Sequence, residues 1–318
     1  MYRCNNCTKY FSVPTVWKDT HQLLSDHLDG LSFRDLARNY SMSPMSAWRI
    51  CQQELAKLPD NNQFTHLYCN RFSSIFMFDG KYFNVADQPT NWVFLWGIDY
   101  LRHDIPAFII APSESYQSWA KLFSYIRILN HFPQLVVCDD NVNLKMAARE
   151  KFPAVRIQTC YNHFKENIRR VLHTRSDKTY ARFMKRIETL LDSSIKLSEG
   201  NFMSWYGALH RDYHTDPVCL SVLLTIAKYR KELFAFQGIP GAPLTTNLIE
   251  GMNGHLEKRL FSLQSFQSVA HAKLWFNGYV LKRRMTKFTD CRGKFKHLNG
   301  KTGVDMTKKH GIVVPSYF

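Results

Sequence analysis

Three acidic residues sit among neighbours that suit metal chemistry. Asp79 follows the apolar run Ile75-Phe76-Met77-Phe78 and precedes Gly80, so a short strand would deliver a carboxylate at its end with open space beside it. Asp139, with Asp140 next to it, follows Leu135-Val136-Val137-Cys138 in the same manner. If those two strands are neighbours in one sheet, the carboxylates face each other across a small gap. Like charges held that close need a cation between them, such as Mg²⁺ or Mn²⁺. Taken singly, each Asp is also what an ordinary turn after a strand would use. The third acid, Glu250, lies in Thr245-Thr246-Asn247-Leu248-Ile249-Glu250-Gly251-Met252-Asn253-Gly254. Ile249, Met252 and Leu256 recur at helical spacing, whereas Asn247, Glu250 and Asn253 share another face. A helix start with Asn247 as cap and Glu250 as its partner is the simpler reading. It leaves Gly251, Asn253 and Gly254 unexplained, and small and amide residues around one acid suit the close approach of a phosphate backbone.

Two cysteine motifs offer different chemistry. Cys4 and Cys7 are spaced like one knuckle of a zinc ribbon, but a closed structural site takes four ligands and no second close pair follows. Either the chain begins after a first knuckle or the pair holds no Zn²⁺. Cys160 and His163 have Cys-x2-His spacing just after a strand-like segment. Without two further ligands nearby in sequence, a buried Cys and a His hydrogen-bonded near the acids is preferred over zinc.

The elements that must position these groups follow from periodicity. From about Trp17 to Leu58 the pattern predicts three short helices, with Gly30 ending the first, Ser32 and Asp35 forming a capping pair for the second, and Ser43-Pro44 opening the third. On the third helix Ala47, Trp48, Cys51 and Leu55 form an inner face. Ser46, Arg49, Gln52 and Gln53 point outward, with hydrogen-bonding groups suited to base edges or phosphates, as in a helix-turn-helix. Between Ser73 and Gln158 short β-branched and aromatic runs predict five strands: three joined by short turns, one of them at Asp79-Gly80, and two reached through helices at about 116–129 and 144–151. Beyond Cys160 the chain reads as helix, broken most clearly at Gly238 to Pro243.

Composition narrows the partners. The chain has 318 residues, 45% apolar, and carries a formal charge of +16, which calls for a polyanion. No run approaches the ~20 apolar residues of a spanning helix, and the first residues lack a signal-peptide core, so a membrane is not the expected partner and the eight cysteines are expected as thiols or metal ligands in a reducing compartment. The charge is unevenly spread: +1 over residues 1–60, −1 over 61–150, +6 over 151–250 and +10 over 251–318, the last including Lys282-Arg283-Arg284. A neutral to acidic strand region beside a basic C-terminal half fits a cation-binding site next to a phosphate-holding wall.

Three strings taken together resemble the DDE transposases of the Mutator-like group and their bacterial insertion-sequence relatives: Phe78-Asp79-Gly80; Val137-Cys138-Asp139-Asp140 with Gln158-Thr159-Cys160-Tyr161-Asn162-His163; and Thr246-Asn247-Leu248-Ile249-Glu250-Gly251-Met252-Asn253. The resemblance covers roughly residues 70–290. It implies an α/β, RNase H-like fold with a mixed five-stranded sheet. The implied organisation is a partial zinc-ribbon knuckle at 1–14, a helix-turn-helix domain at 15–60, a first catalytic segment at 70–173, a helical insertion at 174–243, the helix of the third acid at 244–290 and a basic tail at 291–318. Asp79, Asp139 and Glu250 would hold two Mg²⁺ or Mn²⁺ ions about 4 Å apart, and the enzyme would cleave DNA at element ends and transfer the strands to a target. Asp140 stands where a small residue is expected, so Asp139 is assigned by strand register. Cys160, His163, Asn247 and Asn253 belong to the signature without a derived role. The resemblance further implies double-stranded DNA as partner, contacted by Ser46, Arg49, Gln52, Gln53, Lys282, Arg283 and Arg284, a homodimer or higher oligomer on that DNA, and a cytoplasmic, nucleoid-associated bacterial protein. An inactive transposase-derived DNA-binding protein and a nuclease without strand transfer are the alternatives.

Overall fold

In the computed structural model, residues 2–3, 6–8, 10–11, 19–192 and 198–318 are described. Two-residue strands β1 (Tyr2–Arg3) and β2 (Tyr10–Phe11) pair antiparallel at the N-terminus. Cys4 lies outside the described residues and Cys7 is exposed.

The anticipated three helices are α1 (Thr20–Leu28), α2 (Phe33–Asn39) and α3 (Pro44–Lys57). Their boundaries follow local chemistry. Gly30 takes a φ of +109° between α1 and α2, a backbone angle that favours glycine. Ser32 and Asp35 close a reciprocal capping box, and the Ser43 hydroxyl caps α3 with Pro44 in its first turn. These helices are not a separate module. Leu28 and Leu55 pack on α12 (Val269–Met285), where a side chain at Gly278 would collide with Leu55. A fourth helix, α4 (Asn61–Tyr68), absent from the sequence expectation, starts at Asp60, whose carboxylate accepts from Asn62 and Gln63 N–H groups.

The main sheet comprises β3 (Ile75–Phe83), β4 (Trp92–Asp99), β5 (Phe108–Ala111), β6 (Leu135–Cys138) and β7 (Arg156–Thr159) in the order β5-β4-β3-β6-β7. The first three are antiparallel, and β6 and β7 add parallel through crossovers containing α5 (Tyr116–Ile128) and α6 (Val142–Lys151). One expectation fails here. Asp79-Gly80 is not a turn, because β3 runs on to Phe83 and stays paired with β4 as far as Trp92. What ends near Asp79 is the parallel pairing with β6, which stops at Met77 opposite Val137.

Alternation along the strands splits the core into two layers. Phe76, Phe78, Leu95, Val136 and Cys138 pack with α5 and α6 residues such as Trp119, Phe123 and Leu144. Met77, Trp96 and Val137 face α7 (Tyr161–Val171), α11 (Asn247–Leu263) and α12, contributing to a core with Phe164, Met252 and Phe276. The helical insertion contains α8 (Ala181–Leu190), α9 (Glu199–Tyr213) and α10 (Pro217–Leu233).

Residues 291–318, expected as a basic tail, fold back on the core through a 3-10 helix (Gly293–Leu298) and α13 (Gly303–Thr307). They close over Arg284, which is 1% exposed. Its guanidinium makes two 2.8 Å bonds to the Asp104 carboxylate and bonds to Asn61 and Thr65, while Thr307 donates to Asp104. Arg284 is thus a structural ion pair and not a DNA contact, a correction forced by long-range packing. Lys282 is also diverted: its ammonium lies 2.6 Å from both Asp29 and the Ser25 carbonyl, tying α12 to α1. Among the described residues no helix is long and apolar enough to cross a membrane.

Candidate active site

Strand register aligns the first two acids. Ile75, Phe76 and Met77 pair with Leu135, Val136 and Val137, each sixty residues ahead. Continuing that offset for two residues sets Asp79 beside Asp139 at the point where the pairing opens. Adjacent strands lie about 4.8 Å apart, and the shared parity turns both carboxylates toward the α7 and α11 layer.

Helix α11 brings the third acid to the same face. The Asn253 amide donates to Asp79 at 2.7 Å and accepts from the Trp96 indole at 3.1 Å. Glu250, three residues earlier on α11, is accordingly about 4.5 Å back along the helix axis from a residue touching Asp79. The Thr246 hydroxyl donates to Glu250, and His163 Nδ1 stands 3.7 Å from it. Asn247 accepts from Asn162 at 2.9 Å, joining the start of α11 to α7.

The electrostatics of this face are unbalanced toward negative charge. Withdrawal from water is the main cause that raises Asp79 to about 7, and the charges of Asp139 and Glu114 push the same way; the Gly80 N–H and His163 oppose them. Glu114 was not anticipated. It precedes α5, its carboxylate is held by Asn141 and hydrogen-bonded to Tyr82, and burial and Asp139 raise its carboxyl. A Cβ on Gly80 would lie 2.5 Å from its carboxylate oxygen. The space expected beside Asp79 is thus filled by a fourth acid. A lone Glu in the Ser-rich run Ser113-Glu114-Ser115 gave no periodic or motif signal.

Cys160, His163 and Glu250 form a cluster whose donor atoms lie within 4.8 Å of one another. The hydrogen bond with Cys160 is the leading cause that raises His163 to about 9, against burial, with the charges of Cys160, Glu250 and Asp139 adding to it. Burial would raise the Cys160 thiol, but bonds from His163 and Thr246 outweigh it and lower the net value. His163 is therefore a cationic neighbour of Glu250.

Asp140 has a different fate from Asp139. It pairs with Lys145 at 2.6 Å and accepts from Tyr229 at 2.7 Å, and Lys145 also reaches Glu232 at 2.6 Å and Thr159 at 3.0 Å. That cluster fastens α6 and β7 to α10.

Of the residues expected to meet DNA, Arg49 and Gln53 are exposed on α3, while Ser46 is half-buried and hydrogen-bonded to Ser43. Gln52 is half-buried with an enclosed amide nitrogen rather than outward-facing. Arg283 is half-buried at the end of α12.

Comparison with known proteins gives one family. A family model described as "Transposase, Mutator family" matches residues 69–274. No curated protein matches the chain. Among solved structures, the chain is similar to one in the complex of the simian T-cell lymphotropic virus intasome with PP2A regulatory subunit B56 gamma, at 14% identity over 65% of this chain and 68% of that one, with a TM-score of 0.24.

Proposed function

Because the chain belongs to the Mutator family of transposases, we propose that it cleaves DNA at the ends of a mobile element and joins those ends to a target, with Asp79, Asp139 and Glu250 as ligands for two divalent cations, Mg²⁺ or Mn²⁺. The observation that carries this reading is the pair of register-matched carboxylates on one sheet face, with Asp79 raised to about 7 by burial and by unneutralised acids beside it. All-oxygen donors of this kind fit a hard divalent cation. Bound there, such ions would activate a water or a DNA 3′-hydroxyl and stabilise the departing 3′-oxygen. The chain's own residues prepare the site. Asn253 and the Gly80 N–H each donate to one Asp79 oxygen, fixing the orientation of the carboxylate, and each oxygen keeps a further lone pair for a ligand. Thr246 and His163 hold Glu250 near the same face, and the positive His163 lowers the repulsion among the acids. Outside the site, Arg49, Gln53 and Ser46 on α3, together with Arg283, contact double-stranded DNA, and two copies of the chain act on the two ends.

The test is Mg²⁺-dependent cleavage and joining of a DNA end by wild type, Asp79→Ala, Asp139→Ala and Glu250→Ala. Each variant is expected to lose more than about a hundredfold in cleavage, since even partners of metal ligands are worth 10–100-fold, while binding DNA in EDTA as well as wild type does. Equal cleavage by wild type and Asp79→Ala would overturn the assignment. Wild-type binding without cleavage makes the protein a DNA-binding relative, and cleavage without joining makes it a nuclease.

A further inference from the structure

The free edge of β3 opens into a groove of about 400 Å³ immediately beyond the acids. Its parallel neighbour β6 pairs only as far as Met77, so among the described residues no strand covers the stretch from Asp79 to Phe83 on that side. The opposite wall is the last turn of α11 and the connection that follows, with Phe261, Leu263 and Gln264. Tyr82 and Phe261 both line the groove, 51% and 84% exposed. Phe261 joins none of the hydrophobic clusters of the described residues. Lys81 is already paired with Glu257 at 2.9 Å, which leaves the groove nearly neutral and furnished with the amides of Asn84, Asn91 and Gln264.

The backbone around Gln264 is also unusual. Gln264 has φ +62° and ψ −58°, a left-handed γ-turn closed by the Ser265 N–H on the Leu263 carbonyl at 2.8 Å. A non-glycine residue is held there against its preference, and the neighbouring pairing of Phe266 with Asn84 and Ala86 pins the turn against β3. Gln264 lines the same groove as the two aromatics.

We propose that this groove binds an unpaired nucleobase of the DNA strand held at the acids, stacked on Tyr82 or Phe261 with its edge met by the amides. The proposal rests on the reading of the site as a DNA-cleaving centre. Phosphate recognition is disfavoured because the single lysine is neutralised, whereas flat aromatic surface with amides matches a base. Tyr82 is three residues beyond Asp79, about 10 Å along the strand, or about three base steps of a DNA strand.

The test compares a forked duplex carrying a three-nucleotide single-stranded arm with a blunt duplex of the same sequence, both bound by the full chain in Ca²⁺ and read by fluorescence anisotropy, with 2-aminopurine in the arm to report stacking. Wild type is expected to prefer the fork and quench the 2-aminopurine. Phe261→Ala and Tyr82→Ala are expected to lose roughly tenfold in fork affinity, while blunt-duplex affinity and melting temperature stay unchanged. Asp79→Asn keeps the fork preference, so its loss of cleavage reports on the acids alone. Equal fork-to-blunt ratios in wild type and both variants would overturn the inference. So would Phe261→Ala breaking self-association in light scattering with fork binding intact, which would make the groove a contact between copies.

Discussion

Two groups of buried charge in this chain have opposite character. Around Arg284, one guanidinium meets one carboxylate, that of Asp104, at two 2.8 Å contacts, with Asn61 and Thr65 taking further donors. The charge is balanced and water is shut out. Around Asp79, three carboxylates, Asp79, Asp139 and Glu114, converge with His163 as the opposing positive neighbour among the described residues, and the balance is negative. The adjacent residues Asp139 and Asp140 sharpen the contrast, since Asp140 is neutralised by Lys145 while Asp139 faces other acids. Arg284 and Lys145 neutralise Asp104 and Asp140, whereas the acids around Asp79 are left short of positive charge. The proposed divalent cations would supply the missing positive charge.

The contrast can be broken first at the balanced end. Removing one partner from a buried ion pair leaves the other charge stranded, so Arg284→Ala should destabilise the protein by about 3–5 kcal/mol, read from the urea midpoint. A small change would mean that the pair is solvated and the comparison false.

The unbalanced end predicts the opposite response. Asp79 titrates near 7 in the folded protein, against 3.8 as its ordinary value, so between about pH 4 and 7 the folded state holds more protons than the unfolded one. Stability of the metal-free protein should fall as pH rises through that window, by on the order of 2–4 kcal/mol. Asp79→Asn should remove this decline and melt higher than wild type at pH 8 in EDTA. A pH-independent difference between the two would show that the carboxylate is not under strain.

The smallest effect tests the acid that the sequence did not announce. Glu114→Gln removes one charge beside Asp79, so the midpoint of that pH decline should move down by less than about one pH unit. An unmoved midpoint would separate Glu114 from the site electrostatically.

Much of the fold was legible because it depends on short-range rules. Short β-branched and aromatic runs marked the five strands, the lengths of their connections marked the mixed pairing, and Ser32, Asp35, Ser43 and Pro44 fixed helix ends by chemistry within four residues. The end of β3 was misjudged at Asp79-Gly80, since a Gly in an apolar run signals a turn unless a neighbouring side chain, here Glu114, needs its space.

By itself the sequence determined the five strands, the three N-terminal helices and the helical character of the region after Cys160, and the sixty-residue spacing that becomes the β3–β6 register. The tertiary structure alone decided what each charge does. Arg284 and Lys282, two of three consecutive basic residues, became internal ties because Asp104 and Asp29 arrived from far along the chain. Asp139 and Asp140 parted because Lys145 reached only one of them. Periodicity and capping act over a few residues and can be read from order alone. Compensation of a buried charge depends on partners far away in sequence, 180 residues for Arg284 and Asp104, and only the packed chain assigns them.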